Sequence, residues 1–306
     1  MSFSSEQIKK ISKEISSKVS GKTLFDEFSR GRYSTDASVY QIKPLGVILP
    51  KDTNDVLNIM DYSQRNSIPL LARGGGSSQC GQTVGESVVL DYSKHQNKIL
   101  ELNVKDKYVW VEPGVVLDHL NEYLKPYGLW FPVDVSTSSR ATIGGMSANN
   151  SCGSRSLYYG NMVHNVLAIE AILDDGSIFT FDQIEKNYLE RKNNQDRLYK
   201  IIDKFIDVRQ KVASDIKDNW PTTQRRVGGY NIDLIDPNGF NSSNLLVGSE
   251  GTLSLFNKIK LRLSEIPKNK ILGVCYFDNF HQAMELAKEI VRLKPTCVEL
   301  MDQNLL

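Results

Sequence analysis

The sequence predicts an α+β protein built on a β-α-β unit whose second strand runs into an anion-binding loop. Three observations predict it. The apolar run Val47-Ile48-Leu49, a capped helical stretch to Asn66 and the apolar residues 68–72 follow one another in strand, helix, strand order. Directly after them comes Arg73-Gly74-Gly75-Gly76-Ser77-Ser78-Gln79-Cys80-Gly81-Gln82, rich in glycine and small polar residues. A second dense run of Ser, Thr, Asn and Gly occupies residues 131–153.

Taken in order, residues 1–30 are polar and Lys/Ser-rich, and Ile8, Ile11, Ile15 and Val19 recur at helical spacing. They predict an amphipathic helix outside the main core. Arg30-Gly31-Arg32-Tyr33-Ser34-Thr35-Asp36 reads as a polar connection. Pro50 ends the strand at 47–49. Asp52-Thr53 caps the following helix, with Val56, Leu57, Met60 and Tyr62 or Ser63 facing inward or along its edge. Residues 88–91, 99–102 and 108–111 predict three further strands. Pro113-Gly114 punctuates the chain before a short helix at 116–124. Residues 167–173 and 178–181 form a hairpin around Asp174-Asp175-Gly176-Ser177. A helix at 198–212, strands at 259–263 and 271–276 and a helix at 281–293 complete the reading, with no internal repeat.

The composition excludes several function classes. A 306-residue chain that is 40% hydrophobic and 24% charged can build a sizeable core, in one large domain or two ordinary ones. A net charge of +1 gives no polyanion-binding surface, so no nucleic-acid partner is expected. No apolar run is long enough to span a membrane, and Met1-Ser2-Phe3-Ser4-Ser5-Glu6 does not open a secretory leader. The expected location is cytoplasmic; peripheral attachment to the inner face of a membrane stays open. Cys80, Cys152, Cys275 and Cys297 lie far apart with no C-x-x-C pair, so no metal site is expected, and they read as reduced, mostly buried thiols.

A strand that ends in glycines leaves consecutive N–H groups unshielded, and such a nest holds a phosphate or pyrophosphate. The same composition also suits a solvent-facing turn. The loop lacks the Gly-Lys-Ser/Thr ending of a triphosphatase loop, and Gln79 stands where G-x-G-x-x-G needs its last glycine. The run at 131–153 reads as too polar and glycine-rich for core. It is also far longer than the usual connection of about 4–6 residues. Long loops of this composition line binding sites, where hydroxyls and amides can pair with a ring carrying donors and acceptors.

With these motifs in this order, the chain resembles the FAD-linked oxidoreductases that share the FAD-binding PCMH-type fold of vanillyl-alcohol oxidase and para-cresol methylhydroxylase. Arg73-Gly74-Gly75-Gly76-Ser77-Ser78 resembles that family's pyrophosphate loop, and Val111-Glu112-Pro113-Gly114-Val115 its V-x-P-G-V segment. Thr142-Ile143-Gly144-Gly145 with Asn149-Asn150 resembles its second FAD loop, and Tyr159-Gly160 the pair that follows. Val247-Gly248-Ser249-Glu250-Gly251-Thr252-Leu253 resembles its G-S-E-G-T-L signature. Tyr33-Ser34-Thr35-Asp36 is similar to the leading segment of bacterial D-lactate and D-2-hydroxyglutarate dehydrogenases. The resemblance covers roughly residues 32–306.

It implies two α+β subdomains, about 38–112 and 113–268, with FAD between them. An N-terminal helical segment at 1–37 would precede them, and the opening of a truncated substrate (cap) domain at 269–306 would follow. It implies that Arg73, Gly74, Gly75, Gly76, Ser77, Ser78 and Gln79 hold the pyrophosphate. Pro132, Ser136, Thr137, Thr142, Gly144, Gly145, Ser147, Asn149 and Asn150 would surround the flavin and ribityl chain. Ile169 would add a backbone contact, and Glu250 and Gly251 would close the far side. The implied activity is oxidation of a small D-2-hydroxy acid by hydride transfer to flavin N5. Electrons would pass to a quinone, cytochrome or iron–sulfur acceptor in the full-length enzyme. Two alternatives remain: an FAD-holding module that needs a partner chain, and an alditol or sugar oxidase.

Some members tether FAD through a histidine in the first loop; residues 73–82 contain none, so non-covalent FAD is expected. Cys152 reads as a buried small residue, not as a tether. His164 is the weak candidate for a catalytic base, against a structural histidine. Arg225-Arg226 could pair with a carboxylate or be solvated. The family's His-rich metal-binding and catalytic stretch does not occur before Leu306, so the sequence reads as a fragment, holding cofactor but incomplete for turnover.

Overall fold

The computed structural model describes residues 3–185, 197–223, 225–236 and 238–302. The Ser4 hydroxyl accepts the Gln7 N–H and the Gln7 amide oxygen accepts the Ser4 N–H, a capping box that starts helix α1 (Ser5–Ser16). Ile11 and Ile15 are buried in one core with Val56 and Ile59. This corrects the expectation of a helix outside the core: the Ile stripe docks on the next helix but one, where the Tyr62 hydroxyl donates to Glu14 at 2.7 Å. Burying each isoleucine contributes about 1.5–3 kcal/mol.

Strand β1 (Lys22–Leu24) and helix α2 (Glu27–Arg32) follow. Part of the stretch read as a polar connection is therefore helical. Its start signal is a single side chain, Asp26, which accepts the Ser29 N–H at 2.9 Å.

Strand β2 (Gly46–Leu49), helix α3 (Thr53–Asn66) and strand β3 (Leu70–Arg73) form the β-α-β unit, and β4 (Val88–Asp91) lies between its strands in the order β1-β2-β4-β3. β2 and β3 run parallel to β4, and β1 is antiparallel to β2. β2 and β4 are buried at every position, and their residues 47–49 and 88–90 read as apolar runs for that reason.

The rest of the body runs through β5 (Ile99–Asn103), β6 (Tyr108–Val111), α4 (Leu117–Leu124), β7 (Leu129–Trp130), α5 (Ile143–Asn149), α6 (Ser156–Tyr159), α7 (Met162–Asn165), β8 (Val166–Ile172) and β9 (Ile178–Phe181). β10 (Gln183–Ile184), α8 (Arg197–Lys211), α9 (Ala213–Asn219), β11 (Phe240–Asn241), β12 (Leu255–Arg262) and β13 (Ser264–Glu265) follow. β5-β6-β12-β8-β9 is an antiparallel sheet, and β7 pairs with β13 and β10 with β11. β5 and β6 belong to this second sheet because β6 pairs with the distant β12. The change of sheet therefore falls between Asp91 and Ile99, a position that local pattern does not encode.

The two sheets are joined. Ile172 of β8 and Leu255 of β12 are buried in the core of the first sheet, and the Thr53 hydroxyl donates to Asn257 of β12 at 2.7 Å. Past β13 the burial ends. Helix α10 (Phe280–Arg292) buries none of its residues, and residues 271–276 are not a strand; Ile271 is 98% exposed. The apolar run pairs with no strand among the described residues. Residues 303–306 of the expected C-terminal segment lie outside the described residues. Among those described, no helix is long and apolar enough to cross a membrane.

Candidate cofactor site

The loop leaving β3 and the segment leading into α5 are far apart in sequence and touch in space. A Cβ on Gly74 would fall on the Thr142 hydroxyl, well inside the 3.0 Å that real contacts keep. Thr142 is fixed in turn, its Oγ1 accepting the Gly145 N–H at 3.3 Å as the cap of α5. On the other side of α5, a Cβ on Gly144 would lie 2.6 Å from Pro113 Cβ. Glycine lets the chain at Gly74 close on the Thr142 side chain, and at Gly144 on Pro113. The result is one cavity of about 410 Å³ lined by both segments, within the ordinary range for a small-molecule site.

Residues 131–153 are therefore not one long loop. Phe131, Val133, Ile143 and Met146 are among the most buried side chains of the second core. The expectation that this run was too polar for core is corrected. Its few apolar residues point inward, while Ser136, Thr137, Thr142 and Asn149 line the cavity.

Of the residues expected to hold a cofactor, Arg73, Gly74, Gly75, Gly76, Ser77, Ser78 and Gln79 line the cavity, as do Gly144, Gly145, Glu250 and Gly251. Pro132, Ser147, Asn150 and Ile169 are buried elsewhere. Asn150 Oδ1 accepts the Val163 N–H at 3.0 Å, and Ile169 is the centre of β8, in register with Ile259 and Phe181. Sequence reasoning missed Gln82, Tyr92, Ser254 and Phe256 as lining residues. Tyr92 and Phe256 belong to or border strands and carry no local mark of a site. Pro113, also in the lining, sits in the recognised V-x-P-G-V segment.

Arg73 lines the cavity, yet its guanidinium is directed at the chain. It donates to the carbonyls of Tyr33, Thr35 and Thr83 at 3.3, 2.8 and 3.0 Å, and lies 5.2 Å from the Tyr33 ring centre. The Tyr33 hydroxyl donates to Asp91 at 2.6 Å, and Thr83 donates to Asp36 at 2.9 Å. Burial, reinforced by the Asp91 carboxylate, holds the Tyr33 phenol well above its ordinary range. Segment 33–36 is thereby fastened to the back of the glycine loop.

His164 does not line the cavity. Its Nδ1 accepts the Asn161 N–H at 3.0 Å, closing the cap of α7, and burial lowers its pKa. Arg226 is half-buried and donates to the Asp233 carboxylate at 2.5 Å, while Arg225 is exposed and reaches the Gly153 carbonyl at 3.3 Å. The cysteines are not mostly buried: Cys80, Cys275 and Cys297 are exposed, and Cys152 is half-buried on the cavity wall with Cys80. A thiol needs packing partners to behave as a core residue, and these lie in loops and in the uncovered C-terminal segment. No histidine is among the described lining residues.

Two buried hydroxyls of the lining, Tyr92 OH and Ser254 Oγ, have no hydrogen-bond partner in the protein. A buried polar group without a partner is disfavoured by about 1–3 kcal/mol, and a polar ligand in the cavity would relieve it. Bare glycine backbone, serine and threonine hydroxyls, the Gln79 and Asn149 amides and these orphaned hydroxyls suit a long polar ligand with phosphates and heteroaromatic rings.

Comparison with known proteins agrees with this chemistry. Residues 44–182 match the family described as "FAD binding domain". Over 286 residues the chain is 36% identical to a D-2-hydroxyglutarate dehydrogenase of Haemophilus influenzae, covering 89% of this chain and 28% of the relative. It is 33% identical over 296 residues to the enzyme of the same name in Escherichia coli, covering 94% and 29% respectively. The chain thus spans less than a third of the length of these relatives. Among solved structures, an alkyldihydroxyacetonephosphate synthase shares the fold with a TM-score of 0.61 at 16% identity, covering 90% of this chain and 47% of that one.

Proposed function

We propose that this chain, whose residues 44–182 match the family described as "FAD binding domain", is the cofactor-holding part of an FAD-dependent dehydrogenase of D-2-hydroxy acids, with D-2-hydroxyglutarate the foremost substrate. The observation that carries the reading is the seam between Gly74 and Thr142, which turns two separate small-residue segments into one cavity. The named activity of the relatives supplies the substrate class.

In this reading the Gly74–Gly76 backbone and the Ser77 hydroxyl hold the diphosphate, as a nest of free N–H groups does. Ser136, Thr137 and Asn149 bind the polar edge of the ring system and ribityl chain. Tyr92 and Ser254 offer their hydroxyls at buried points of the wall. Bound there, FAD supplies a hydride acceptor, and the protein contributes orientation and a water-poor environment. His164 is assigned no proton transfer, because its Nδ1 already caps α7. The expectation of FAD without a covalent tether rests on residues 73–82, which contain no histidine. Residues 269–306 open the substrate-side domain of the longer relatives, a reading supported by the bare apolar side chains Ile271, Leu272 and Tyr276. The acceptor of the electrons is a quinone, a cytochrome or an iron–sulfur centre.

A second reading is favoured by the share of the relatives that this chain spans: a flavin-holding module whose turnover needs further polypeptide. One experiment separates the two. The FAD-loaded chain is mixed anaerobically with D-2-hydroxyglutarate, D-lactate or glycolate. Bleaching of the flavin by D-2-hydroxyglutarate supports the dehydrogenase; a flavin that stays oxidised with all three leaves the module.

A further inference from the structure

The Glu250 carboxylate is placed where an anion-binding cavity would be expected to avoid one. The Glu250 backbone has φ +52°, in the left-handed region that favours glycine. It is held there by its own N–H, which donates to the Ala148 carbonyl of α5 at 2.9 Å. From that position Oε1 accepts from Asn149 Nδ2 at 2.8 Å and from Gln82 Nε2 at 3.4 Å. Gln82 is bonded onward to Ser78, and Asn149 accepts from the Ser151 hydroxyl at 3.1 Å. Ser78, Gln82, Glu250, Asn149 and Ser151 therefore form one hydrogen-bonded chain along the cavity wall. It runs from the glycine loop to the far end of α5, and Glu250 is its one titratable member.

The other charged or titratable groups on the wall are occupied or neutral. The Arg73 guanidinium is spent on the carbonyls of Tyr33, Thr35 and Thr83. Cys80, Cys152 and the buried phenol of Tyr92 carry no positive charge. From neighbouring segments, Tyr230 is bonded to Thr252 at 2.7 Å and Arg225 reaches Gly153. No cation pairs with Glu250 among the described residues.

We propose that Glu250 is a proton-linked gate on this cavity: its carboxyl straps Gln82 of the glycine loop to Asn149 of α5, and a diphosphate is admitted with that carboxyl protonated. The proposal rests on the FAD reading above. Two anions in one cavity repel, while a protonated carboxyl can keep the strap and donate a hydrogen bond to a phosphate oxygen. Burial already pushes the Glu250 carboxyl above its ordinary range, with the Asn149 and Gln82 amides drawing it partly back. A diphosphate beside it raises the carboxyl further, so FAD binding takes up a proton wherever the free protein is ionised. The sign follows: affinity is highest at low pH and falls as pH rises through the window between the two pKa values.

The test is FAD affinity by quenching of flavin fluorescence, measured from about pH 5 to about pH 9 on the 306-residue chain and on Glu250→Gln. For the unsubstituted protein the expected Kd rises with pH by up to about tenfold per unit. For Glu250→Gln the profile is flat, and binding at the alkaline end is tighter than that of the unsubstituted protein. A flat profile for the unsubstituted protein overturns the gate, and that arm does not depend on the variant folding. So does a Glu250→Gln protein that keeps the slope, or that binds FAD more weakly at every pH, as a carboxylate accepting ribityl hydroxyls would require. Failure of the unsubstituted protein to bind FAD at any pH overturns the parent reading and the gate together; binding with a flat profile overturns the gate alone.

Discussion

Gly74 and Thr142 touch: the α-carbon of the first lies against the hydroxyl of the second, with no room for a Cβ between them. This contact joins the end of β3 to the start of α5 and makes one cavity of two segments. Gly74→Ala is expected to push the glycine loop away from α5, costing about 1–3 kcal/mol of stability and most of the FAD affinity. Thr142→Ala in the Gly74→Ala background should restore part of both. A double-mutant cycle on urea midpoints and FAD Kd checks it; strict additivity would mean that the contact is not the cause.

Tyr92 and Ser254 carry opposite predictions for stability and for binding. Each buries a hydroxyl without a protein partner. Tyr92→Phe and Ser254→Ala should leave the FAD-free protein as stable as before or more stable, by up to about 1 kcal/mol, because nothing is left unpaired. The same substitutions should weaken FAD several-fold. Chemical denaturation without FAD and a separate FAD titration distinguish the two effects.

Arg73 acts on the chain more than on the ligand. Arg73→Lys keeps the charge and loses the planar fork that reaches three carbonyls. The expected cost is about 1.5–3 kcal/mol, with segment 33–42 becoming the first site cut in limited proteolysis. Unchanged cleavage would show that Arg73 does not hold that segment.

His164 gives a pH dependence of stability. Burial lowers its pKa in the folded protein below the ordinary value of about 6.5. The unfolded chain then binds more protons as pH falls, so the stability contributed by neutral His164 is present above about pH 6.5 and lost below it. Urea midpoints should fall from about pH 7.5 to about pH 5, and His164→Gln should reduce that fall. FAD affinity should not follow His164, whose ring lies off the cavity wall.

The β-α-β unit was legible because its signals are local: Asp52 caps α3, and Val47-Ile48-Leu49 and Leu70-Leu71-Ala72 are apolar runs on either side of it. The glycine loop was legible for the same reason. What escaped has a long-range cause. β6 joins the second sheet through β12, and nothing within residues 108–111 announces that partner. The buried half of residues 131–153 was hidden because serine and glycine dominate the composition while four apolar side chains set the packing. Asn150 is a buried hydrogen-bonding post for Val163, a role that its polar neighbourhood in sequence does not announce. Tyr92 and Ser254 had no sequence signal, because their interest lies in the partners they lack.

The most direct test of the central claim is stoichiometric FAD binding by the purified chain. The account predicts one FAD per chain, competition by ADP, and release of all flavin into the supernatant on acid precipitation. Gly74→Ala should abolish retention. A folded protein that retains no FAD, or that retains it undiminished when Gly74 carries a side chain, would contradict the account.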